Sequence, residues 1–357
     1  PETILEFIEV PRDDLDECIA TLQEISDEYP DAYYELTGGN EMILIAFGYI
    51  SAQKKLKCLR IDPFTSTEIT IGPDGNITTR QDNINMTVRE NIILHGGLLT
   101  NQTGNYSSWK FTDEFKADIR DIWEIARKLR HKWNRYGAII EDAIKNYPCD
   151  EKGTYTIPKN QLREAISVFY DLQHMGKLKY FSDQPKRIRF QFKNREIKNI
   201  ITKTGNILEL HVYEVASRRP DIFNDEIISA VIDWNGNKTQ EQKKQFASDY
   251  KRYMDTTYDT VNEIDVILMR SVIPTFISCK SGRAGSLALH ELQTVTHRFG
   301  GNYAKKALIM ALPADNSASG TSFFKQRAKE MHIWVIDNVY SMKDEVLLNK
   351  LIRVQGE

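Results

Sequence analysis

The stretch at residues 262–280 constrains the fold more than any other part of this chain. An apolar run at 263–269 and a second one at 275–280 are each typical of a β-strand. A short polar segment that ends at Pro274 separates them and indicates a turn. The sequence therefore predicts two neighbouring strands joined by a tight connection.

Two ionisable residues interrupt these apolar strands. Asp265 lies inside the first strand and Lys280 ends the second. Because side chains alternate along a strand, Ser278 and Lys280 share one face, and pairing of the strands would bring Asp265 close to both. A buried Asp beside a buried Lys is unfavourable unless the two bind each other or a metal. A structural ion pair at a sheet edge and a functional centre both stay open at this point.

Composition limits the protein class. The 357 residues are enough for two or three domains, and 41% hydrophobic with 27% charged residues is ordinary for a globular protein. A net charge of −3 means that any contact with nucleic acid needs a local basic patch. The four cysteines have neither CxxC nor zinc spacing, which favours a reducing, cytoplasmic location. No apolar run reaches the roughly 18 residues of a membrane span, so no membrane partner is expected.

The first hundred residues alternate between strand and helix patterns. A βαβαβ order of this kind predicts a Rossmann-like parallel sheet. The predicted elements, with a hairpin after them, are a strand at 3–10, a helix at 12–28, a strand at 32–36, a helix at 41–54, a strand at 57–61 and the hairpin at 65–82.

Thr37, Gly38, Gly39 and Asn40 form a turn between a predicted strand and a predicted helix. Such a turn presents backbone N–H groups and the positive end of the helix dipole, which suits a phosphate. A simple tight strand-to-helix turn is the alternative, and the negative charge of Glu41 favours it.

The middle of the chain is basic and helical. A helix at 113–146 carries a cluster of basic residues at 127–135, which predicts a solvated face or a contact with nucleic acid. A helix at 161–174 followed by strands at 177–181 and 187–192 resembles a winged helix. Seven basic residues and one acid at 184–203 predict either a patch that follows a nucleic-acid backbone or a wing packed on its neighbour.

The last 150 residues or so predict an α/β core with four polar residues in order. Glu209 lies on the first helix, Asp265 on a central strand, Lys280 on its neighbour and Gln293 on the next helix. This order is that of the restriction-endonuclease-like core of the PD-(D/E)xK nucleases. In that core two acids and a backbone carbonyl hold Mg²⁺ or Mn²⁺, and the lysine orients or activates the attacking water.

Several short motifs resemble one family, the CRISPR ancillary nucleases, which join a CARF sensor domain to a PD-(D/E)xK domain. The motifs are Gly-Asn-Ile-Leu-Glu at 205–209, Asn-Glu-Ile-Asp-Val at 262–266, Phe-Ile-Ser-Cys-Lys at 276–280, Arg-Phe-Gly-Gly at 298–301 with Ala-Lys-Lys at 304–306, and Glu-Leu-Thr-Gly-Gly-Asn at 35–40. The resemblance implies a CARF-like domain at 1–100, a winged-helix-like connector at 101–204 and a nuclease domain at 205–357. It also implies that the first strands of the sensor domain precede Pro1.

The resemblance implies a homodimer that binds a cyclic oligoadenylate, foremost the tetra-adenylate, and then cuts DNA or RNA with Mn²⁺ or Mg²⁺. Its implied residue roles are Asp265 as the metal acid, Lys280 as the catalytic lysine, Glu209 as the helix acid near the metal, the carbonyl of Cys279 as a further metal ligand, and Thr37, Gly38, Gly39 and Asn40 as the phosphate loop of the activator site.

Ser278 departs from the family pattern, which has an acid two residues before the lysine. Serine is a poor Mg²⁺ ligand. Glu209, Glu263, Glu291 or a water held by Ser278 are candidates to replace the missing acid; otherwise activity is low or needs Mn²⁺. The alternative function is therefore a cyclic-nucleotide sensor whose nuclease domain binds nucleic acid without cutting it. A transcription regulator that uses the winged helix is a third hypothesis.

Overall fold

The computed structural model describes residues 8–11, 13–36, 40–81, 84–99, 110–234, 261–314 and 321–356. They belong to two units, Pro1–Ile84 and Asn85–Glu357. Both helices and several sheets are present, so the predicted α/β class is confirmed. Within the described ranges, no helix is long and apolar enough to cross a membrane.

The first unit contains two helices and a four-stranded sheet. Its elements are α1 (Leu15–Glu28), β1 (Tyr33–Glu35), α2 (Glu41–Lys54), β2 (Lys57–Asp62), β3 (Thr67–Ile71) and β4 (Ile77–Gln81). The strand order is β1-β2-β3-β4; β1 and β2 are parallel, and the other pairs are antiparallel. The predicted parallel crossover is therefore found only at β1-α2-β2. Most of the strand predicted at 3–10 lies outside the described residues.

Capping side chains define where the two helices of this unit begin. Asp14 accepts hydrogen bonds from the N–H groups of Asp16 and Glu17 at the start of α1. Asn40 accepts one from the N–H of Ile43, at 2.8 Å, at the start of α2. These bonds satisfy N–H groups that have no partner inside a helix.

The middle segment forms a helical layer beside a small antiparallel sheet. Its elements are α4 (Asp113–Leu129), α5 (Trp133–Asn146), β6 (Tyr155–Pro158), α6 (Lys159–Leu162), α7 (Ile166–His174), β7 (Leu178–Asp183), β8 (Arg187–Phe192) and α8 (Arg195–Thr202). The sheet order β6-β8-β7 after a helix agrees with the predicted wing. The single helix predicted at 113–146 is wrong, because Arg130 has a φ of 51° and begins a 3-10 turn over Arg130–Lys132.

A six-stranded sheet forms the centre of the second unit. Its elements are α3 (Val88–Leu94), β5 (Leu98–Leu99), α9 (Ile207–Ala216), β9 (Asp225–Asp233), β10 (Val261–Arg270), β11 (Ile273–Lys280), α10 (Ser286–Gly300), β12 (Lys305–Met310), α11 (Thr321–Glu330), β13 (Trp334–Ile336) and α12 (Asp344–Gly356). The order is β13-β12-β11-β10-β9-β5, with β11, β12 and β13 parallel and the others antiparallel. Helix α12 was not predicted from the sequence.

Residues 85–99 belong to this second unit by contact. Strand β5 pairs with β9, and Val88, Ile92 and Leu99 lie in one apolar cluster with Phe299. The two units therefore divide between residues 84 and 85, whereas the sequence placed its first boundary at residue 100. The assignment of functions to 1–100, 101–204 and 205–357 stays a prediction.

Candidate active site

The site is built on the hairpin of β10 and β11, the two central strands of the six-stranded sheet. Their register runs from Val266 opposite Ile277 to Arg270 opposite Ile273, which leaves a turn of only two residues. Pro274 therefore lies inside β11, opposite Met269, and not in the turn as predicted. Placing the hairpin at the centre of the sheet removes the alternative of an ion pair at a sheet edge.

Asp265 lies where β10 and β11 begin to separate. Its Oδ2 accepts a hydrogen bond from Ser278 Oγ, at 3.2 Å, and another from the backbone N–H of Cys279. The N–H and C=O of one strand residue point toward the same neighbouring strand, so the Cys279 carbonyl also faces β10. The predicted proximity of Asp265, Ser278 and the Cys279 backbone is present in the structure.

Glu209 approaches the same place from helix α9. Burial, together with the charges of Asp265 and Glu263, raises its pKa to about 9, against the opposing charge of Lys280 and the hydroxyl of Ser229. Ser229 Oγ lies 3.5 Å from Glu209 Oε2. Burial likewise raises the pKa of Asp265, against the hydrogen bond from Cys279 and the charge of Lys280. A pKa of about 9 makes Glu209 a neutral carboxyl at pH 7 when no metal is bound.

The raised pKa makes Glu209 destabilising near neutral pH. An acid whose folded-state pKa exceeds its unfolded value stabilises the fold only at low pH, and that contribution is lost as pH rises through about 4.5 to 9. We expect Glu209→Gln to raise the free energy of unfolding of the metal-free protein at pH 7 by about 3 kcal/mol.

This expectation is checked by urea unfolding of both proteins at pH 4.5 and pH 7. The difference between them should be small at the lower pH, where Glu209 is already half protonated in the unfolded chain. Glu291→Gln serves as the control, because Glu291 is exposed on α10. Equal stability of the wild-type and Glu209→Gln proteins at pH 7 would contradict the expectation.

Ser229 is a site residue that sequence reasoning missed. It is fully buried inside β9, and its φ of 49° lies in the left-handed region, between the pairs Ala230–Ile264 and Ile228–Val266. Such a backbone conformation in a non-glycine residue is strained and redirects the side chain. Its hydroxyl lowers the pKa of Glu263 and of Glu209 by hydrogen bonding. The sequence offered one signal for this role, because Ser229 is a polar residue in the middle of the apolar strand β9.

Lys280 shares a cavity of about 220 Å³ with Asp265 and Ser278. Glu263, exposed on β10, and Glu291, exposed on α10, also line it. Within the described parts of the chain, Lys280 has no carboxylate oxygen within 4 Å, so it does not form a structural ion pair with Asp265. Its ammonium group is therefore available to a phosphate that enters the cavity.

The oxygen donors present suit a hard divalent cation. Asp265, Glu209 and the Cys279 carbonyl are ligands of the type that Mg²⁺ and Mn²⁺ prefer. A cation would also lower the pKa of the two buried carboxyls. Over the residues that the structure describes, no group of three or more His, Cys, Asp or Glu side chains is arranged to hold a metal. The donor set therefore fits such a cation in its chemistry, and Ser278 stands where the family pattern has a further acid.

Two sequence-predicted groups have other partners or are not described. Thr37, Gly38 and Gly39 lie outside the described residues, and Asn40 uses its side chain to cap α2. Gln293 accepts a hydrogen bond from Lys306 and does not line the cavity of Asp265.

The basic run at 127–135 divides into paired and exposed residues. Arg127 pairs with Glu124, Lys128 with Asp171 and Arg135 with Glu164, which agrees with a solvated helix face. The 3-10 turn Arg130–Lys132 is exposed instead. On the predicted wing, Lys193 is held by Glu114 and Asp118, and Arg189 lies 6.0 Å from the ring centre of Tyr180.

No protein-family profile and no curated protein matches the sequence. Among solved structures, protein VC1899 from Vibrio cholerae is similar over 96% of this chain and 83% of its own, with a TM-score of 0.69 and 13% identity. Can2 from Sulfobacillus thermosulfidooxidans, solved in complex with cyclic tetra-adenylate, is similar over 96% of this chain and 81% of its own, with a TM-score of 0.59 and 16% identity. This chain thus shares the fold of these two proteins over nearly its whole length.

Proposed function

We propose that this protein is a cyclic oligoadenylate-activated, divalent-metal-dependent nuclease that acts in type III CRISPR antiviral defence. The observation that carries the proposal is the convergence of Asp265, Glu209 and Lys280 beside the Cys279 backbone, on the central strands of an α/β sheet. Clustered carboxyls with raised pKa values next to an unpaired lysine favour a catalytic centre over a structural one.

Each residue of the site has a distinct chemical task in this proposal. Asp265 and Glu209 would hold the metal, and the N–H of Cys279 with the hydroxyl of Ser278 keeps the Asp265 carboxylate oriented. Lys280 supplies a positive charge for the negative charge that develops on the scissile phosphate. The bound cation would activate the attacking water and polarise the phosphate.

The first unit is the proposed sensor of the activator. Can2, which shares the fold, was solved with cyclic tetra-adenylate bound. In this chain the phosphate loop would be Thr37, Gly38, Gly39 and Asn40, at the N-terminus of α2, where the helix dipole favours an anion.

Helix α2 supports a homodimer within this proposal. Ile45, Gly48 and Tyr49 follow a helical spacing on one face, and Ile45 and Tyr49 are 58% and 52% exposed. A Cβ atom built on Gly48 would meet nothing within 4 Å, so another backbone can approach closely there. Exposed apolar faces of this kind mark association surfaces, and a second copy of the chain is the partner that we propose.

Ser278 favours a second candidate function, a sensor that binds nucleic acid without cutting it. The two are separated by incubating supercoiled plasmid and labelled single strands with the protein and Mn²⁺, with and without cyclic tetra-adenylate. We expect cleavage that needs both additions and that Ser278→Asp increases, because the second carboxylate strengthens metal binding. A wild-type protein that binds the activator and never cleaves, beside a Ser278→Asp variant that does, would support the non-cleaving sensor.

A further inference from the structure

A second cavity is lined in part by the loop that follows Lys280. It measures about 530 Å³, and its lining residues are His131, Gly282, Arg283, Ala284, Gly285, Ser286, Met310, Leu312, Pro313, Ala314, Phe323, Phe324 and Arg327. It shares none of these residues with the cavity of Asp265. The proposed nuclease centre uses none of the residues that line this cavity.

The ionisable residues among those that line the cavity are two arginines and one histidine. Arg283 lies in the loop, Arg327 on α11 and His131 in the 3-10 turn after α4. All three side chains are exposed, and within the described ranges neither arginine has a carboxylate within 4 Å. None of the described residues that line the cavity is a carboxylate, so the arginines stay available to an anion.

The cavity also has an aromatic wall. Phe323 is 74% exposed, which is unusual for so large an apolar side chain on a free surface, and Phe324 beside it is half-buried. Exposed aromatic rings next to arginines are the combination that binds single-stranded nucleic acid, since bases stack on the ring while cations contact phosphates.

The position of the cavity relates it to the nuclease centre. Arg283 follows Lys280 by three residues, a chain length that spans at most roughly 11 Å. The connecting loop contains Gly282 and Gly285, where a built Cβ would meet nothing within 4 Å, so a strand can approach the backbone there. Asn134 of α5 donates a hydrogen bond to Ser281 Oγ, at 3.0 Å, and links the loop to the middle segment.

We propose that this cavity is a nucleotide subsite for a single-stranded stretch of the nucleic acid next to the scissile phosphate. Phe323 stacks on a base, and Arg283 and Arg327 contact the adjoining phosphates, with His131 at the rim. This inference rests on the proposed nuclease function for the direction of the strand toward Lys280. The recognition itself depends only on the lining residues.

The test measures binding without cleavage. The full-length Asp265→Asn protein is titrated into a short fluorescein-labelled oligothymidylate, with and without cyclic tetra-adenylate, and anisotropy gives the affinity at several salt concentrations. We expect Phe323→Leu to weaken binding by about fivefold or more without changing the salt dependence, because stacking is lost and the phosphate contacts remain. Phe323→Trp, which keeps an aromatic ring at this position, should bind with the affinity of the protein that has Phe323.

The arginines have a different signature. Arg283→Ala and Arg327→Ala should each weaken binding and lower the slope of log affinity against log salt by about 0.7, as one phosphate contact is lost from a single strand. Lys329→Ala is the matched control, since Lys329 is an exposed cation on the same helix that does not line the cavity. Its slope should not change.

Several outcomes would overturn the inference. One is unchanged affinity for the oligothymidylate in all three cavity variants. Another is a loss of affinity with Lys329→Ala as large as with the arginine variants. A third is that Phe323→Leu loses as much affinity for a duplex, whose bases are already stacked, as for the single strand. A wild-type protein that never cleaves, while the cavity variants still lose binding, would contradict the nuclease proposal and leave this one standing. If the wild-type protein cleaves and the cavity variants bind as tightly as it does, the nuclease proposal stands and the subsite proposal is contradicted.

Discussion

Replacing Asp265 with asparagine is expected to lower activator-dependent cleavage at least about 10³-fold. The asparagine keeps the size of the side chain and removes the charge that would bind the metal. Asp265 contacts the Cys279 N–H and the Ser278 hydroxyl, and no other carboxylate among the described residues makes these contacts. The rate of cleavage of a labelled strand with Mn²⁺ and cyclic tetra-adenylate measures the effect.

The same variant contains its own control for folding. Burial raises the pKa of Asp265, so a neutral asparagine should be tolerated without loss of thermal stability. Binding of cyclic tetra-adenylate should be unchanged, because the predicted phosphate loop lies in the first unit. Lys280→Ala should also abolish cleavage. An Asp265→Asn, Lys280→Ala double variant that cleaves like wild type would show that the catalytic centre lies elsewhere.

Replacing Glu214 with glutamine is expected to lower the free energy of unfolding by about 3 kcal/mol. The side chain of Glu214 is only 1% exposed and binds Arg120 Nη1 at 2.6 Å and Arg218 Nη2 at 2.5 Å. Arg218 continues the network to Asp344 at 2.7 Å. Removing the buried negative charge leaves Arg120 without a carboxylate partner among the described residues and Arg218 with Asp344 alone, which is more unfavourable than the loss of one hydrogen bond.

A surface pair provides the matched control. Glu164 binds Arg135 at 2.6 Å, and both side chains are at least 60% exposed. Glu164→Gln should lower stability by less than about 1 kcal/mol, because solvent screens an exposed pair. Chemical unfolding of both variants measures the difference, and equal losses would refute the role assigned to burial.

The Glu214 network has a functional meaning through helix α9. It ties α9 to α4 and to α12, and α9 carries Glu209 into the site. The position of one proposed metal ligand therefore depends on contacts made far from it in sequence. Nothing in the local pattern around Glu209 reveals these contacts, since Arg120 lies 94 residues from Glu214 in the sequence.

The local periodicity of the sequence was enough to find most elements of the second unit. The strands predicted at 263–269 and 275–280 lie within β10 and β11. A period of two in β11 correctly placed Ser278 beside Asp265. These successes share a cause, because one buried face repeats its apolar residues at the spacing of the element that carries it.

Elements that depend on contacts with distant segments were not predicted from the sequence. Strand β5 has only two residues, and its pairing with β9 makes it part of the central sheet. The break at Arg130 comes from one left-handed residue in an otherwise helical pattern. Both features are set by packing against other segments, which overrides weak local preference.

The sequence by itself determined the residue types of the site: a carboxylate, a lysine and a serine in two apolar strands, with a glutamate on a preceding helix. Only the tertiary structure decided how they act together. The positive φ of Ser229, the hydrogen bond from the Cys279 N–H to Asp265 and the burial of Glu209 depend on the closeness of β9, β10, β11 and α9. The physical reason is that chemistry resides in the side chain, whereas its pKa and orientation come from the groups that the fold places around it.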